Sequence, residues 1–136
     1  MQSQVKGKIR IDSESDIVSV RKTVREISTE AGLSVTDVTR VVTAASELAR
    51  NIFHYAKTGE MHWFIGRINE NSGIELMFVD NGPGIANIDQ AMEMGFTTRG
   101  GLGLGLPGAK RLMDDILISS ELGRGTTIKV YKWIKR

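Results

Sequence analysis

Two stretches decide the fold of this chain: Glu47-Leu48-Ala49-Arg50-Asn51 and Asp80-Asn81-Gly82-Pro83-Gly84-Ile85. Two glycine-rich stretches follow them, Gly101-Leu102-Gly103-Leu104-Gly105-Leu106 and Gly123-Arg124-Gly125-Thr126. Each stretch alone carries little information, because helices often expose Glu and Asn to water and glycines usually mark ordinary turns. The four together, in this order and spacing, indicate one shared ligand site.

The composition limits the classes of protein to which this chain can belong. Its 136 residues are enough for one domain with a buried core, and the absence of cysteine excludes disulfides, thiol catalysis and Cys-based zinc sites. The amino terminus is polar, and no stretch approaches the roughly 18 apolar residues of a membrane span. We therefore expect a single domain over residues 1–136, located in the cytoplasm, with no membrane partner.

The charge pattern gives little support to nucleic-acid binding, since 18 basic and 16 acidic side chains leave a net charge of only +2. A basic cluster lies near the end of the chain and comprises Lys129, Lys132, Lys135 and Arg136. We interpret it as a solvated outer strand face followed by a charged tail, and a patch for a phosphate backbone is the alternative. Nucleic acid is not an expected partner.

Hydrophobic periodicity predicts two helices in the first half of the chain, after a short strand over residues 8–11. Ser13 with Asp16 offers an N-cap for the first helix, which ends at Gly32. The second begins after Ser34 or Thr36 and runs to about residue 55.

The second half predicts a sheet. Strands are expected over residues 61–68 and 74–80, joined by a turn at 69–73, and over residues 116–121 and 126–134, paired around 123–125. Helices are expected over residues 88–94 and 106–114. This order predicts an α+β fold: a two-layer α/β sandwich whose mixed sheet is mostly antiparallel, with helices on one face.

Glu47 and Asn51 suit the chemistry of phosphoryl transfer. They are one helical turn apart, so their side chains project together from the rim of the apolar stripe. An amide oxygen is a hard ligand for Mg²⁺, and a carboxylate can take a proton from an attacking hydroxyl. An exposed pair on a solvated helix is the alternative.

Asp80 follows a strand that favours burial, so its carboxylate needs a hydrogen-bond donor. The amino group of adenine is such a donor, whereas guanine has an acceptor at that position. Gly82 and Gly84 would let the backbone approach a flat ring without Cβ collisions. A plain Asp-Asn-Gly turn is the alternative.

The glycines at 100, 101, 103 and 105 predict an anion cradle, because such a backbone can turn N–H groups inward just before a helix N-terminus. The stretch is neither a P-loop nor a dinucleotide-binding fingerprint, since no Gly-Lys-Ser/Thr follows and no strand precedes it. A flexible loop without ligand is the alternative.

At these four motifs, over nearly its whole length, the chain resembles the GHKL ATPases of the Bergerat fold, which include gyrase, Hsp90 and the histidine kinases. Within that superfamily, residues 95–114 look most like the anti-sigma-factor serine/threonine kinases. The resemblance implies that ATP and Mg²⁺ are the cofactors, that Glu47 is the catalytic base and that Asn51 holds Mg²⁺. The cofactor-binding residues that it implies are Asn51, Asp80, Gly82, Gly84, Ile85, Gly101, Gly103, Leu104, Gly105, Leu106 and Thr126.

Two features depart from the family pattern or match it loosely. Tyr55 stands where many anti-sigma kinases carry a His, so no role is carried over to the neighbouring His54. Arg99 aligns loosely with an arginine before the glycines of some relatives. A contact with the γ-phosphate and a solvated position are the two alternatives for this residue.

The resemblance also implies a partner-switching role. Such a kinase phosphorylates serine or threonine on STAS-domain scaffold or antagonist proteins of a bacterial stressosome and is then released to activate a downstream phosphatase. The alternative is an anti-sigma factor that sequesters a sigma factor in a nucleotide-dependent way and phosphorylates an anti-anti-sigma factor. A degenerate adaptor without catalysis is disfavoured by the intact Glu47.

Overall fold

The computed structural model describes residues 5–85 and 106–134. Its helices are α1 (Glu14–Glu30), α2 (Val35–Asn51) and α3 (Leu106–Leu112), and a π-helical turn (Ile52–Ala56) continues α2. Its strands are β1 (Val5–Ile11), β2 (Gly59–Ile68), β3 (Asn71–Asp80), β4 (Asp115–Glu121) and β5 (Gly125–Trp133). The helix predicted over residues 88–94 lies outside the described residues. Of the described helices, none has the length and apolar character needed to cross a membrane.

The five strands form one sheet in the order β1-β2-β3-β5-β4, and every neighbouring pair is antiparallel. Alternate residues of β3, namely Ile74, Leu76 and Phe78, are buried and share a core with α1, α2 and α3. The predicted α+β sandwich with helices on one face is therefore confirmed, but the described sheet is wholly antiparallel and not mixed. The apolar stripe of α2 is confirmed as well, since all its members from Val38 to Ile52 are buried.

The β2–β3 hairpin is confirmed, but its turn is shorter than predicted. Only Asn69 and Glu70 connect the strands, and Asn69 adopts a left-handed backbone with φ 56°. The start of β3 is ordered as strand because it also pairs with β5: Gly73 lies opposite Trp133, and the N–H of Ile134 donates to the carbonyl of Ser72 at 2.8 Å.

The predicted N-cap of α1 is confirmed as a capping box. One carboxylate oxygen of Asp16 accepts hydrogen bonds from the backbone N–H groups of Asp12 at 2.9 Å and Ser13 at 3.1 Å. These bonds, the one from Asp12 foremost, lower the pKa of Asp16 from its ordinary value. The start of α1 is thereby fixed beside the end of β1.

Lys132 contradicts the interpretation of the terminal basic cluster as a solvated face. It is only 4% exposed, because alternation along β5 turns it inward whereas Lys129 faces the other side of the sheet. Its Nζ donates to the carbonyl of Leu112 at 2.9 Å and pairs with Asp37 at 3.6 Å and Asp114 at 3.4 Å. The N–H of Asp114 donates to the carbonyl of Tyr131 at 2.8 Å and so cannot continue the helix, which is why α3 ends at Leu112 and not, as predicted, at residue 114.

Candidate nucleotide site

Three polar side chains stand side by side at one end of the sheet, on three adjacent strands. Asp80 of β3 lies opposite Thr126 of β5, and Thr126 lies opposite Ser120 of β4. Because side chains alternate along a strand, this row shares the helix-covered face with buried residues such as Phe78 and Ile128. Polar groups are thus presented at the edge of an apolar core.

The loop that follows β3 is fastened to the β4–β5 hairpin by two hydrogen bonds. The N–H of Gly123 donates to the carbonyl of Pro83 at 2.9 Å, and the N–H of Ile85 donates to the Ser120 hydroxyl at 2.8 Å. The loop is therefore held against the row of polar side chains.

A cavity of about 60 Å³ opens between this loop, the end of α2 and the row of polar side chains, several times the ~10–15 Å³ that one water needs. Its lining combines apolar walls with a few polar groups, which is typical of small-molecule sites. The lining residues are Asn51, Tyr55, Asp80, Pro83, Gly84, Ile85, Thr126 and Ile128.

Asp80 is the acidic group of this cavity. Burial raises the pKa of its carboxyl above the ordinary value of 3.8, although hydrogen bonds from the backbone N–H groups of Gly82 and Thr126 oppose the rise. The bond from Gly82 reaches Oδ1 at 2.8 Å. An ionised carboxylate can only accept hydrogen bonds, so Asp80 favours a ligand that donates.

Gly82 and Gly84 are each packed closely against another part of the protein. A Cβ added to Gly82 would come within 2.7 Å of the Cβ of Ala56, and one added to Gly84 would collide with the carbonyl of Glu121. Gly84 also has φ +80°, which L side chains rarely adopt. The structure thus explains both glycines without a ligand, and the predicted clearance for a flat ring stays a prediction.

The end of α2 brings Asn51 to the cavity. The α-helix passes into a π-helical turn directly after this residue, a feature that is frequent at functional sites. Both Asn51 and Tyr55 line the cavity.

Glu47 is on the same helix but does not line this cavity. Its side chain is 44% exposed and accepts a hydrogen bond from the Arg50 guanidinium at 3.0 Å. The carboxylate is therefore accessible to a second molecule that approaches from solvent.

The structure brings together five of the predicted site residues in one cavity: Asn51, Asp80, Gly84, Ile85 and Thr126. Gly82 lies in the loop that follows β3, and Leu106 is fully buried at the start of α3. Gly101, Gly103, Leu104, Gly105 and Arg99 lie outside the described residues. Pro83, Ile128 and Ser120 were not predicted as site residues. Side chains alternate along a strand, so the position of Ile128 two residues after Thr126 could have identified it.

The family model of "Histidine kinase-, DNA gyrase B-, and HSP90-like ATPase" matches residues 36–135, which is most of the chain. The chain belongs to this ATPase family. The GHKL resemblance seen in the sequence is thereby confirmed.

Two curated relatives of this GHKL chain carry names that are more specific. It is 44% identical to "Serine/threonine-protein kinase RsbT" of Bacillus subtilis (strain 168), over 93% of this chain and 96% of that protein. It is 30% identical to "Anti-sigma F factor" of Geobacillus thermodenitrificans (strain NG80-2), over 85% of this chain and 83% of that protein.

Two solved structures share the GHKL fold with this chain. The RsbU and RsbW domains of Rv1364c from Mycobacterium tuberculosis align with a TM-score of 0.65 at 21% identity, over 94% of this chain and 31% of that one. The SiaB–SiaC complex from Pseudomonas aeruginosa aligns with a TM-score of 0.58 at 12% identity, over 94% and 89%. At these identities the likeness concerns the fold alone.

Proposed function

We propose that this protein is an ATP-dependent protein serine/threonine kinase of a partner-switching module. The observation that carries the proposal is the cavity in which the end of α2 presents Asn51 and the end of β3 presents Asp80. Family membership and 44% identity to a serine/threonine-protein kinase over most of both chains support the same activity. The proposed substrates are STAS-domain scaffold or antagonist proteins, and release from them activates a downstream phosphatase.

ATP is proposed to bind with its adenine in the cavity. The Asp80 carboxylate accepts a hydrogen bond from the adenine amino group, Thr126 assists it, and Ile85 and Ile128 provide apolar walls for the ring. A 6-oxo purine would place an acceptor against this acceptor, so the pocket discriminates against guanine.

Mg²⁺ is proposed to be held by the amide oxygen of Asn51 together with phosphate oxygens and water. Within residues 5–85 and 106–134, no group of three or more His, Cys, Asp or Glu could hold a metal ion alone. This fits Mg²⁺, which usually takes one or two protein ligands and substrate phosphates. When bound, the ion neutralises charge on the transferred phosphoryl group.

Glu47 is the proposed general base. The hydroxyl oxygen of a serine or threonine on the partner forms a bond to the γ-phosphorus as the bond to the β-phosphate oxygen breaks, and ADP leaves. The hydroxyl proton passes to the Glu47 carboxylate, whose exposed position lets a docked partner reach it. Water replaces the partner poorly, because it is not held in line for attack.

Replacing Asp80 by Asn tests the adenine assignment. The carboxamide turns a donor toward the ligand, so ATP affinity should fall about ten- to a hundredfold, the equivalent of roughly 1.5–3 kcal/mol for a charge-assisted hydrogen bond. Titration calorimetry with ATP and GTP measures this, with Asp115→Asn, an exposed carboxylate on β4, as the matched control. GTP binding as tightly as ATP to the wild type would refute the assignment.

The stability of the ligand-free protein gives a second check on Asp80. Because burial raises its folded-state pKa above 3.8, its contribution to stability is fully present below that value and is lost as pH rises through the folded-state pKa. Wild type should therefore lose stability relative to Asp80→Asn as pH rises from 3 to 7. A constant difference between their urea midpoints would contradict the burial of the charge.

Phosphoamino-acid analysis tests the kinase activity. Radiolabelled ATP should be turned over slowly by the isolated protein, and label should reach serine or threonine once a STAS-domain partner is added. Rapid hydrolysis without partner, or acid-labile label on histidine, would refute the proposal.

The second candidate is an anti-sigma factor, which the relatives named "Anti-sigma F factor" favour. Pull-down from the native cell extract with ATP or ADP separates the two functions. STAS proteins support the scaffold kinase, whereas a sigma factor supports the alternative. The proposed compartment for either function is the cytoplasm, which fits the absence of cysteine.

A further inference from the structure

Through one hydroxyl group, Ser120 on β4 joins the loop that follows β3 to strand β5. It accepts a hydrogen bond from the N–H of Ile85 at 2.8 Å. It also lies 3.0 Å from the carbonyl of Gly125 and 2.8 Å from the hydroxyl of Thr126. None of the four sequence motifs contains this residue.

The chemistry of the three partners decides the direction of each hydrogen bond. A backbone N–H can only donate and a carbonyl can only accept, so the single hydrogen of Ser120 goes to Gly125. The contact between the two hydroxyls is then satisfied only when Thr126 donates to Ser120. In this arrangement Ser120 uses its hydrogen and both lone pairs.

We propose that Ser120 is a positioning residue that selects 6-amino purines by fixing the direction of the Thr126 hydroxyl. Because the hydrogen of Thr126 is committed to Ser120, Thr126 presents only lone pairs to the cavity that it lines with Asp80. Both side chains at the polar end of the cavity then accept and neither donates. The proposal rests on ATP as the proposed ligand and adds the reason why the pocket rejects a 6-oxo base.

Removing the Ser120 hydroxyl releases the Thr126 hydrogen. In Ser120→Ala, Thr126 can rotate and donate to an oxygen at position 6 of a purine. The base preference should therefore weaken, whereas a purely structural loss would weaken all nucleotides alike.

Calorimetric titration with ATP and inosine triphosphate measures the effect, since inosine has a 6-oxo group and lacks the 2-amino group of guanine. The ratio of the two dissociation constants, Kd(ITP)/Kd(ATP), should fall about tenfold in Ser120→Ala, because the 6-oxo base gains about one hydrogen bond from Thr126. Ser120→Thr keeps a hydroxyl and should keep the wild-type ratio. Ser119→Ala, on the exposed face of the same strand, is the matched control and should leave the ratio unchanged.

Thr126→Val supplies a second readout, because it removes the hydroxyl group through which Ser120 is proposed to act on the ligand. In that background Ser120→Ala should no longer change the ratio, and a further tenfold fall would overturn the proposal. An equal loss of ATP and inosine triphosphate affinity in Ser120→Ala, with the ratio preserved, would also overturn this proposal, but it would not refute ATP as the ligand of the wild type. If the wild type bound neither nucleotide, the proposed function itself would be refuted, and this proposal with it.

Discussion

Glu47→Gln should lower the rate of phosphoryl transfer to a protein partner about 10²–10⁴-fold, the usual contribution of a general base. Glutamine has the same shape and can still accept the hydrogen bond from Arg50, but it cannot take the hydroxyl proton. ATP affinity should change little, because Glu47 does not line the cavity. Single-turnover transfer of labelled phosphate, measured beside calorimetric titration of ATP, separates the two effects.

Asn51→Ala is the matched variant for this prediction, one helical turn away on the same helix. It removes the proposed ligand of Mg²⁺, so it should weaken Mg-dependent nucleotide binding itself. The two variants then divide the site into a proton acceptor and a metal ligand. Equal loss of nucleotide binding in both would contradict that division.

Lys132→Ala should destabilise the protein by about 2–3 kcal/mol, a substantial part of the stability of a domain of this size. The substitution removes the cation that Asp37 and Asp114 share, although Asp37 keeps Arg40 at 3.0 Å; the two acidic side chains are 14% and 21% exposed. It also removes the hydrogen bond from Nζ to the carbonyl of Leu112. Urea denaturation followed by circular dichroism measures the loss.

Lys129→Ala is the control for Lys132, because it lies on the same strand and faces the other side of the sheet. It should cost no more than about 0.5 kcal/mol, as is usual for surface substitutions. An equal loss in both variants would refute the buried ion cluster.

The pH dependence of the Lys132 effect has a definite sign. Burial raises the pKa of Asp37, but hydrogen bonds and charge from Arg40 and Lys132 outweigh it, so that the pKa lies below its ordinary value of 3.8. This contribution to stability is present above that value and is lost as pH falls through the folded-state pKa. The difference between wild type and Lys132→Ala should therefore shrink in acid.

The α+β class and the ATPase family could be predicted from the sequence, because both depend on local patterns. A stripe of apolar residues on α2 and alternation along β3 follow from the repeat of a helix and of a strand. The spacing of Glu47 and Asn51 is likewise a property of one helix. The ligand roles of these residues stay predictions.

Lys132 shows where sequence patterns failed. Alternation with Val130 places Lys132 on the inward face of β5, but a charged residue is not expected there without partners. The two acids that compensate its burial lie on other elements: Asp37 on α2 and Asp114 before β4. A charge can be buried only where such partners converge, and convergence is decided by the packing of α2 against α3 and β5.

Helix periodicity, capping and turn chemistry act over a few residues, so local sequence is enough to specify most of the elements and the family motifs that they carry. The contacts of Ser120 with Ile85 and Thr126 depend instead on tertiary structure, because strand order and register bring these residues together across 35 and 6 positions of the chain. The same holds for Gly84, where the carbonyl of Glu121 leaves no room for a Cβ. Such contacts depend on how distant segments are packed, and no local pattern encodes that packing.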